Sequence, residues 1–262
     1  MVKYNDVIRL KEKLGVPEET VEKDYLIELL LSYISNNRFF KNHLIFRGGT
    51  ALKKIFFPDF RHSEDLDFIV KPGADLISFR HHLNKIVDEI NEEWPVALSM
   101  GEIIYPQEGH LQLFISYNIV PEIRVIKKLK LDFVKDSAIL ESRLRKILFT
   151  FKDFVNLVRY LNVYNLESIA AEKILRIIDV VDEPRDLWDL RYLLKSKLNS
   201  ELIRKAFREK VGYDINYVDL IRAIKKPNYE HLWQVRLKSQ IPSLPEYCVV
   251  VDELESLIKR FF

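Results

Sequence analysis

The chain has 262 residues, 48% of them hydrophobic, with 41 Lys and Arg against 39 Asp and Glu, a net charge of +2 and one cysteine. A hydrophobic share of that size excludes wholesale disorder, and no apolar run approaches the roughly 20 residues of a membrane-spanning helix. Cys248 has no internal partner for a disulfide or a cysteine metal cluster, which suits a reducing, cytoplasmic setting. The length allows one large domain or two modest ones, and Met1 to Leu14 is charged and periodic, unlike a signal peptide.

In chain order, residues 4–14 read as a short helix. Pro17 opens a second helix to about Ser35, with Val21, Tyr25, Leu29 and Leu30 on an apolar stripe; Asn36-Asn37 ends it. Leu44-Ile45-Phe46 predicts a short buried strand that runs into Gly48-Gly49-Thr50 and a helix to about Phe56, stopped by Pro58. Asp65 to Val70 reads as a strand closed by Pro72-Gly73, and a helix follows from about Asp75 to Glu92. The period then changes to two, predicting strands over 97–105, 110–119 and 123–134. In the last of these Leu129, Leu131 and Phe133 share one face and Lys128, Lys130 and Asp132 the other. From Leu166 to Phe262 the pattern is helical, with breaks near Pro184, Gly212, Pro227 and Pro242-Pro245. The expected organisation is therefore α+β, with residues 1–165 mixed and 166–262 helical.

Chemistry concentrates between Phe46 and Phe68. Glycines between a strand and a helix let the backbone approach a ligand, and the helix N-terminus offers free N–H groups and a positive dipole end that favour phosphate. The G-x-x-x-x-G-K-[ST] pattern of a Walker loop is missing. Asp65 and Asp67 are two residues apart on a strand and so share a face. Two carboxylates on an otherwise apolar strand repel each other unless a cation sits between them, and oxygen-only ligands select Mg²⁺ or Mn²⁺. The competing reading is a solvated edge strand with two surface acids. Asp132, again one acid in an apolar strand, would supply a third carboxylate for two-metal phosphoryl or nucleotidyl transfer. Its competing reading is a charge paired with Lys128 or Lys130 on an exposed face.

Gly-Gly-Thr followed by Arg61-x-Ser63-Glu64-Asp65-Leu66-Asp67-Phe68 resembles the AbiEii-type nucleotidyltransferase toxins of the DNA polymerase β-like nucleotidyltransferase superfamily. Further ordered motifs join it. Glu22-Lys23-Asp24-Tyr25 resembles the family's upstream helix motif, and Leu131-Asp132-Phe133 its third-acid strand. Leu166-Glu167-Ser168-Ile169-Ala170-Ala171-Glu172-Lys173 and Arg185-Asp186-Leu187-Trp188-Asp189-Leu190 resemble its two C-terminal helix motifs. Superfamily members often carry Gly-Ser where this chain has Gly-Gly-Thr; the threonine supplies the same hydroxyl.

The resemblance implies a minimal nucleotidyltransferase core, a mixed sheet flanked by helices, with a helical C-terminal domain. It implies a toxin of a toxin–antitoxin or phage-resistance system that moves NMP from an NTP to an RNA acceptor, the tRNA 3′ end. The implied partner is a winged-helix antitoxin encoded nearby, and the expected state is a monomer. By the same resemblance Gly48, Gly49, Thr50 and Ser63 cradle the NTP phosphates, and Asp65, Asp67 and Asp132 hold Mg²⁺ or Mn²⁺. Lys173 neutralises triphosphate charge as a mobile cation, Arg185 and Asp186 line the nucleotide site, and Arg47 and Arg61 are further phosphate contacts. Two other readings stay open: a nucleotidyltransferase acting on a protein or small-molecule hydroxyl, and a module that binds NTP or RNA without turnover. From the residues alone Lys173 reads as a solvated helix lysine, as most lysines so placed are, and Asp186 and Asp189 as acids complementing a helix N-terminus. Glu22 and Asp24 have a purely structural alternative, pairing with basic residues to orient their helix. Tyr213, Tyr217 and Trp233 are open between core and base-stacking roles.

The near-neutral total hides a segregation. Residues 1–122 carry 14 basic and 19 acidic side chains, a net of −5, and residues 123–160 carry 10 and 4, a net of +6. Residues 161–190 return to −4 and residues 191–262 to +5. A polyanionic acceptor is expected along the basic segments, which include Arg143, Arg145 and Lys146.

Overall fold

A computed structural model describes residues 2–120, 125–179 and 183–262. The chain divides into two compact units: Met1–Ser137 with Arg143–Val163, and Ala138–Ser142 with Tyr164–Phe262.

The first unit is built on a mixed sheet. Its strands are β1 (Leu44–Arg47), β2 (Asp65–Val70), β3 (Ala97–Gln107), β4 (His110–Asn118), β5 (Lys127–Lys135), β6 (Ser142–Lys146) and β7 (Tyr160–Tyr164), in the order β3-β4-β5-β2-β1-β7-β6. β2 runs parallel to β5 and antiparallel to β1; β4 runs antiparallel to both β3 and β5. Residue alternation splits the central strands into two faces. Leu66, Phe68, Leu111, Leu113, Leu131 and Phe133 are fully buried on one face. On it Phe133 stacks on Phe68 at 5.5 Å and meets Phe79 at 5.3 Å. Phe79 belongs to α5 (Leu76–Glu93), which Asp75 caps by accepting a 2.8 Å hydrogen bond from the Ser78 N–H. The opposite face carries Asp65, Asp67, Lys130, Asp132, His110 and Gln112.

The helices before the sheet are α1 (Tyr4–Leu14), α2 (Glu18–Ile34) and α3 (Arg38–His43). α2 is buried around nearly its whole circumference, beyond the single apolar stripe the sequence predicts, and it buries Asp24 and Glu28 as well. After β1 the chain enters α4 (Gly48–Ala51), which widens into a π turn over Leu52–Phe56.

Several elements differ from expectation. α3 lies where the periodicity shows only a break. β3 extends to Gln107, and β5 spans Lys127–Lys135, so the first part of the 123–134 strand includes residues 123 and 124, outside the described residues. β6 and β7 carry no sequence signal. β6, Ser-Arg-Leu-Arg-Lys, ends the strand order and is mostly exposed, so pairing rather than alternation makes it a strand.

The second unit holds α6 (Leu166–Asp179), α7 (Pro184–Lys195), α8 (Ser200–Val211), α9 (Tyr217–Ile224), α10 (Pro227–Leu237) and α11 (Tyr247–Phe261). α6 packs on α7, α8 and α9, and α11 packs on α7. Pro184 and Pro227 sit at helix starts and Gly212 closes α8 at φ 82°. A further break, between α7 and α8, is capped by Asn199 and was not among those expected. Trp233 is a core residue whose indole N–H donates to the Pro245 carbonyl at 2.8 Å; Tyr213 and Tyr217 are half exposed.

Candidate active site

Strand register assembles the acids. Asp67 pairs with Asp132 across the parallel β2–β5 ladder, Asp65 pairs with Lys130, and Arg47 pairs with Asp67 from β1. Register partners leave a sheet on the same side, so Asp65, Asp67 and Asp132 project from one face. The solvated-edge alternative for Asp65 and Asp67 is excluded, because β2 lies between β5 and β1 in the middle of the sheet.

The glycine turn is fitted to these strands. Gly48 has φ +78°, and a Cβ built there would stand 2.5 Å from Asp67 Oδ2. A Cβ on Gly49 would lie 2.7 Å from Arg61 Nη2 and 3.3 Å from Ser63 Oγ. Glycines therefore let the turn lie directly on Asp67, Arg61 and Ser63. Thr50 is fully buried and its hydroxyl donates to the Asp65 carbonyl, which ties the start of α4 to β2. This hydroxyl is thus committed to the fold, and what a helix start offers a ligand in general is its first backbone N–H groups.

Asp132 is 6% exposed, and its two oxygens have separate partners. Lys130 Nζ lies 2.6 Å from Oδ2 and His110 Nε2 donates to Oδ1 at 2.8 Å. Burial pushes the Asp132 carboxyl up, but Lys130, His110 and Gln112 together hold it below the ordinary carboxylate range. Lys130 also reaches to 3.8 Å from Asp65 Oδ2. Burial works against its charge, yet Asp65 and Asp132 keep its ammonium above the ordinary lysine value. The sequence alternative for Asp132, pairing with Lys130, is thus present, but on a buried acid. His110 was missed; the signal available was its place with Gln112 on the polar side of an alternating strand.

A second missed group supports the turn. Lys54, in the π turn, is 1% exposed, with Nζ 2.7 Å from both Asp24 Oδ1 and Glu28 Oε1 of α2. Glu28 also accepts from the Thr150 N–H at 2.9 Å, the Thr150 hydroxyl at 2.6 Å and the Phe151 N–H at 3.1 Å. Asp24 Oδ2 lies 3.6 Å from His62 Nδ1. Lys53 donates to the Phe60 carbonyl at 3.0 Å. Asp24 thus touches both the helix after the glycine turn and the segment bearing Arg61 and Ser63. Glu22, in the same motif, pairs with Lys127.

In the second unit Lys173 Nζ sits 2.6 Å from Asp186 Oδ1 and 2.7 Å from Asp189 Oδ2, and Arg176 Nε is 2.8 Å from Asp186 Oδ2. Arg185 pairs with Glu183 at 3.2 Å. Lys173, Asp186 and Asp189 are brought together there, with the lysine buried and clamped between two acids.

The donor set of the first unit fits a hard divalent ion in type: three carboxylates on one face of neighbouring strands. Among the described residues no three acidic, imidazole or thiol side chains already converge on one cation-sized point. Asp132 is engaged by Lys130 and His110, so it would have to release one of them to ligate.

A short strand running into a glycine turn, an i, i+2 carboxylate pair and a third acid on the adjacent parallel strand define the nucleotidyltransferase class. The chain belongs to the AbiEii family: residues 29–258 match the family described as nucleotidyl transferase AbiEii toxin, type IV TA system. It is therefore a nucleotidyltransferase of a toxin–antitoxin system, a class that takes an NTP substrate and pairs with an antitoxin. Among solved structures its fold is similar to MenT4, a nucleotidyltransferase toxin from Mycobacterium tuberculosis H37Rv. The TM-score is 0.66 at 20% identity, over 97% of this chain and 88% of that one. No curated protein sequence matches.

Proposed function

We propose that this enzyme transfers NMP from an NTP to an RNA hydroxyl, the 3′ end of tRNA, with Mg²⁺ or Mn²⁺. The observation that supports the reading is the Gly48 backbone lying against the Asp67 carboxylate, a close approach that sets the start of α4, where a phosphate would be favoured, beside the acids. Gly48, Gly49 and Thr50 present backbone N–H groups to the triphosphate, and Ser63 beside Gly49 adds a hydroxyl. A divalent ion held by Asp65, Asp67 and Asp132 would neutralise charge on the reacting phosphate and activate the acceptor hydroxyl. The hydroxyl oxygen bonds to the α-phosphorus while the bond to the bridging oxygen breaks. Pyrophosphate leaves with that electron pair and the hydroxyl proton passes to solvent. The depressed pKa of Asp132 suits an ionised ligand better than a proton acceptor.

Lys173, Arg185 and Asp186 are proposed to serve the nucleotide, with Lys173 leaving its carboxylates for phosphate. The exposed basic strand β6, with Arg143, Arg145 and Lys146, is proposed to hold the RNA backbone. We assign the enzyme to the cytoplasm as a monomer regulated by a winged-helix antitoxin; among the described residues no helix is long and apolar enough to cross a membrane.

Incubating the pure protein with each labelled NTP, total tRNA and Mg²⁺ or Mn²⁺ tests this. Label is expected at tRNA 3′ ends. Absence of transfer with all four NTPs, or label on protein instead of RNA, would overturn the RNA reading.

A further inference from the structure

Lys130 occupies the place where the acids of this face need positive charge. Asp65 is its register partner on β2, and Asp132 lies two positions further along β5. Strand pairing therefore delivers one ammonium between acids of two strands, 2.6 Å from Asp132 Oδ2 and 3.8 Å from Asp65 Oδ2. A divalent ion held by the same oxygens would compete with that ammonium directly. Like charges about 4 Å apart repel strongly even at an effective dielectric near 20. One of the two cations has to leave.

Lys130 is able to leave. Its side chain is 28% exposed, against 1% for Lys54, whose two carboxylates hold it in the interior. In water the freed ammonium loses two carboxylate partners and gains only hydration. Beside a triphosphate it gains anionic oxygens in exchange. His110 keeps its own hydrogen bond to Asp132 Oδ1, so the carboxylate stays oriented while Oδ2 is vacated.

We infer that Lys130 is an internal counter-ion that blocks metal loading in the nucleotide-free enzyme and makes it conditional on NTP. The inference rests on the metal-dependent reading above. It makes Lys130 a positioning residue, acting through Asp65 and Asp132 rather than on the reacting atoms.

The test is Mn²⁺ titration of the full chain by electron paramagnetic resonance, with and without an unreactive α,β-methylene NTP analogue. Without nucleotide, Lys130→Met should bind Mn²⁺ about tenfold more tightly than wild type. Lys128→Met removes the same charge from an exposed position on the same strand and should stay near wild type. The analogue should tighten Mn²⁺ binding in wild type far more than in Lys130→Met. An Mn²⁺ affinity in Lys130→Met that is unchanged or weaker, or an equal gain in Lys128→Met, overturns the inference. Should Lys130→Met fail to fold, Lys130→Arg keeps the charge and should bind Mn²⁺ as weakly as wild type; tighter binding there overturns it too. No Mn²⁺ uptake by any protein even with the analogue would sink the metal-dependent reading itself, an outcome distinct from a lost difference between variants.

Discussion

Gly48 and Asp67 meet so closely that a Cβ on the glycine would stand 2.5 Å from the carboxylate oxygen. Gly48 also holds φ at +78°, a conformation that costs an L side chain about 1–2 kcal/mol. Gly48→Ala is therefore expected to lower stability by about that amount and to push the turn off Asp67. Thermal unfolding reads the first effect. Nucleotidyl transfer, expected to fall at least about tenfold, reads the second.

Asp67 lies at the centre of the acidic row, with Asp132 and Arg47 as its register partners. Asp67→Asn keeps the side-chain shape and removes one of the crowded charges. Transfer should drop at least about 10²-fold while the unfolding midpoint changes little. A variant that keeps wild-type transfer would remove Asp67 from the catalytic set.

Lys54 is fully buried between Asp24 and Glu28. Lys54→Met leaves two buried carboxylates without their shared cation, a loss of about 3–5 kcal/mol. Denaturant unfolding should show that loss. Adding Asp24→Asn to Lys54→Met should recover part of it, since one of the two uncompensated charges is then gone, while Glu28 keeps the hydrogen bonds it accepts from Thr150 and Phe151.

Asp24 carries a pH signature. Burial raises its carboxyl pKa, but the Lys54 charge and the nearby His62 ring outweigh burial and hold it well below the ordinary 3.8. A carboxyl depressed on folding contributes fully above its unfolded pKa and loses that contribution as pH falls through the folded value. The stability gap between wild type and Asp24→Asn should thus be full above about pH 5 and narrow steadily as pH drops below 3.8. Urea midpoints measured from pH 6 to pH 2 check this; a gap independent of pH would refute it.

Arg145 and Lys146 stand exposed on the edge strand β6. Replacing both with Glu should raise KM for the RNA acceptor roughly tenfold at low salt and leave KM for NTP unchanged. The difference from wild type should shrink as salt rises. Equal shifts in both KM values would place these residues elsewhere in the mechanism.

Much of the site was legible because it follows local periodicity. Asp65 and Asp67 two residues apart share a strand face wherever that strand sits, and Gly-Gly-Thr between a strand and a helix carries its backbone freedom with it. Asp132 stood out as an acid in an apolar strand. The two-lysine run Lys53-Lys54 in an otherwise apolar helix was the overlooked signal, since a buried lysine has to find acids elsewhere in the chain.

Local pattern thus sets the element types, the polar and apolar faces of each strand, and the residue kinds suited to phosphate and metal. Pairing between distant segments sets everything that requires a partner. Parallel register across 65 residues puts Asp67 beside Asp132, rather than one position away and on the other face. The same register places Lys130 opposite Asp65, and antiparallel pairing brings His110 to Asp132. Burial then turns Lys54, Asp24 and Glu28 from three unremarkable charges into one ion cluster. Periodicity reports which way a side chain faces; long-range packing supplies its neighbour, and it is the neighbour that sets charge, pKa and chemistry.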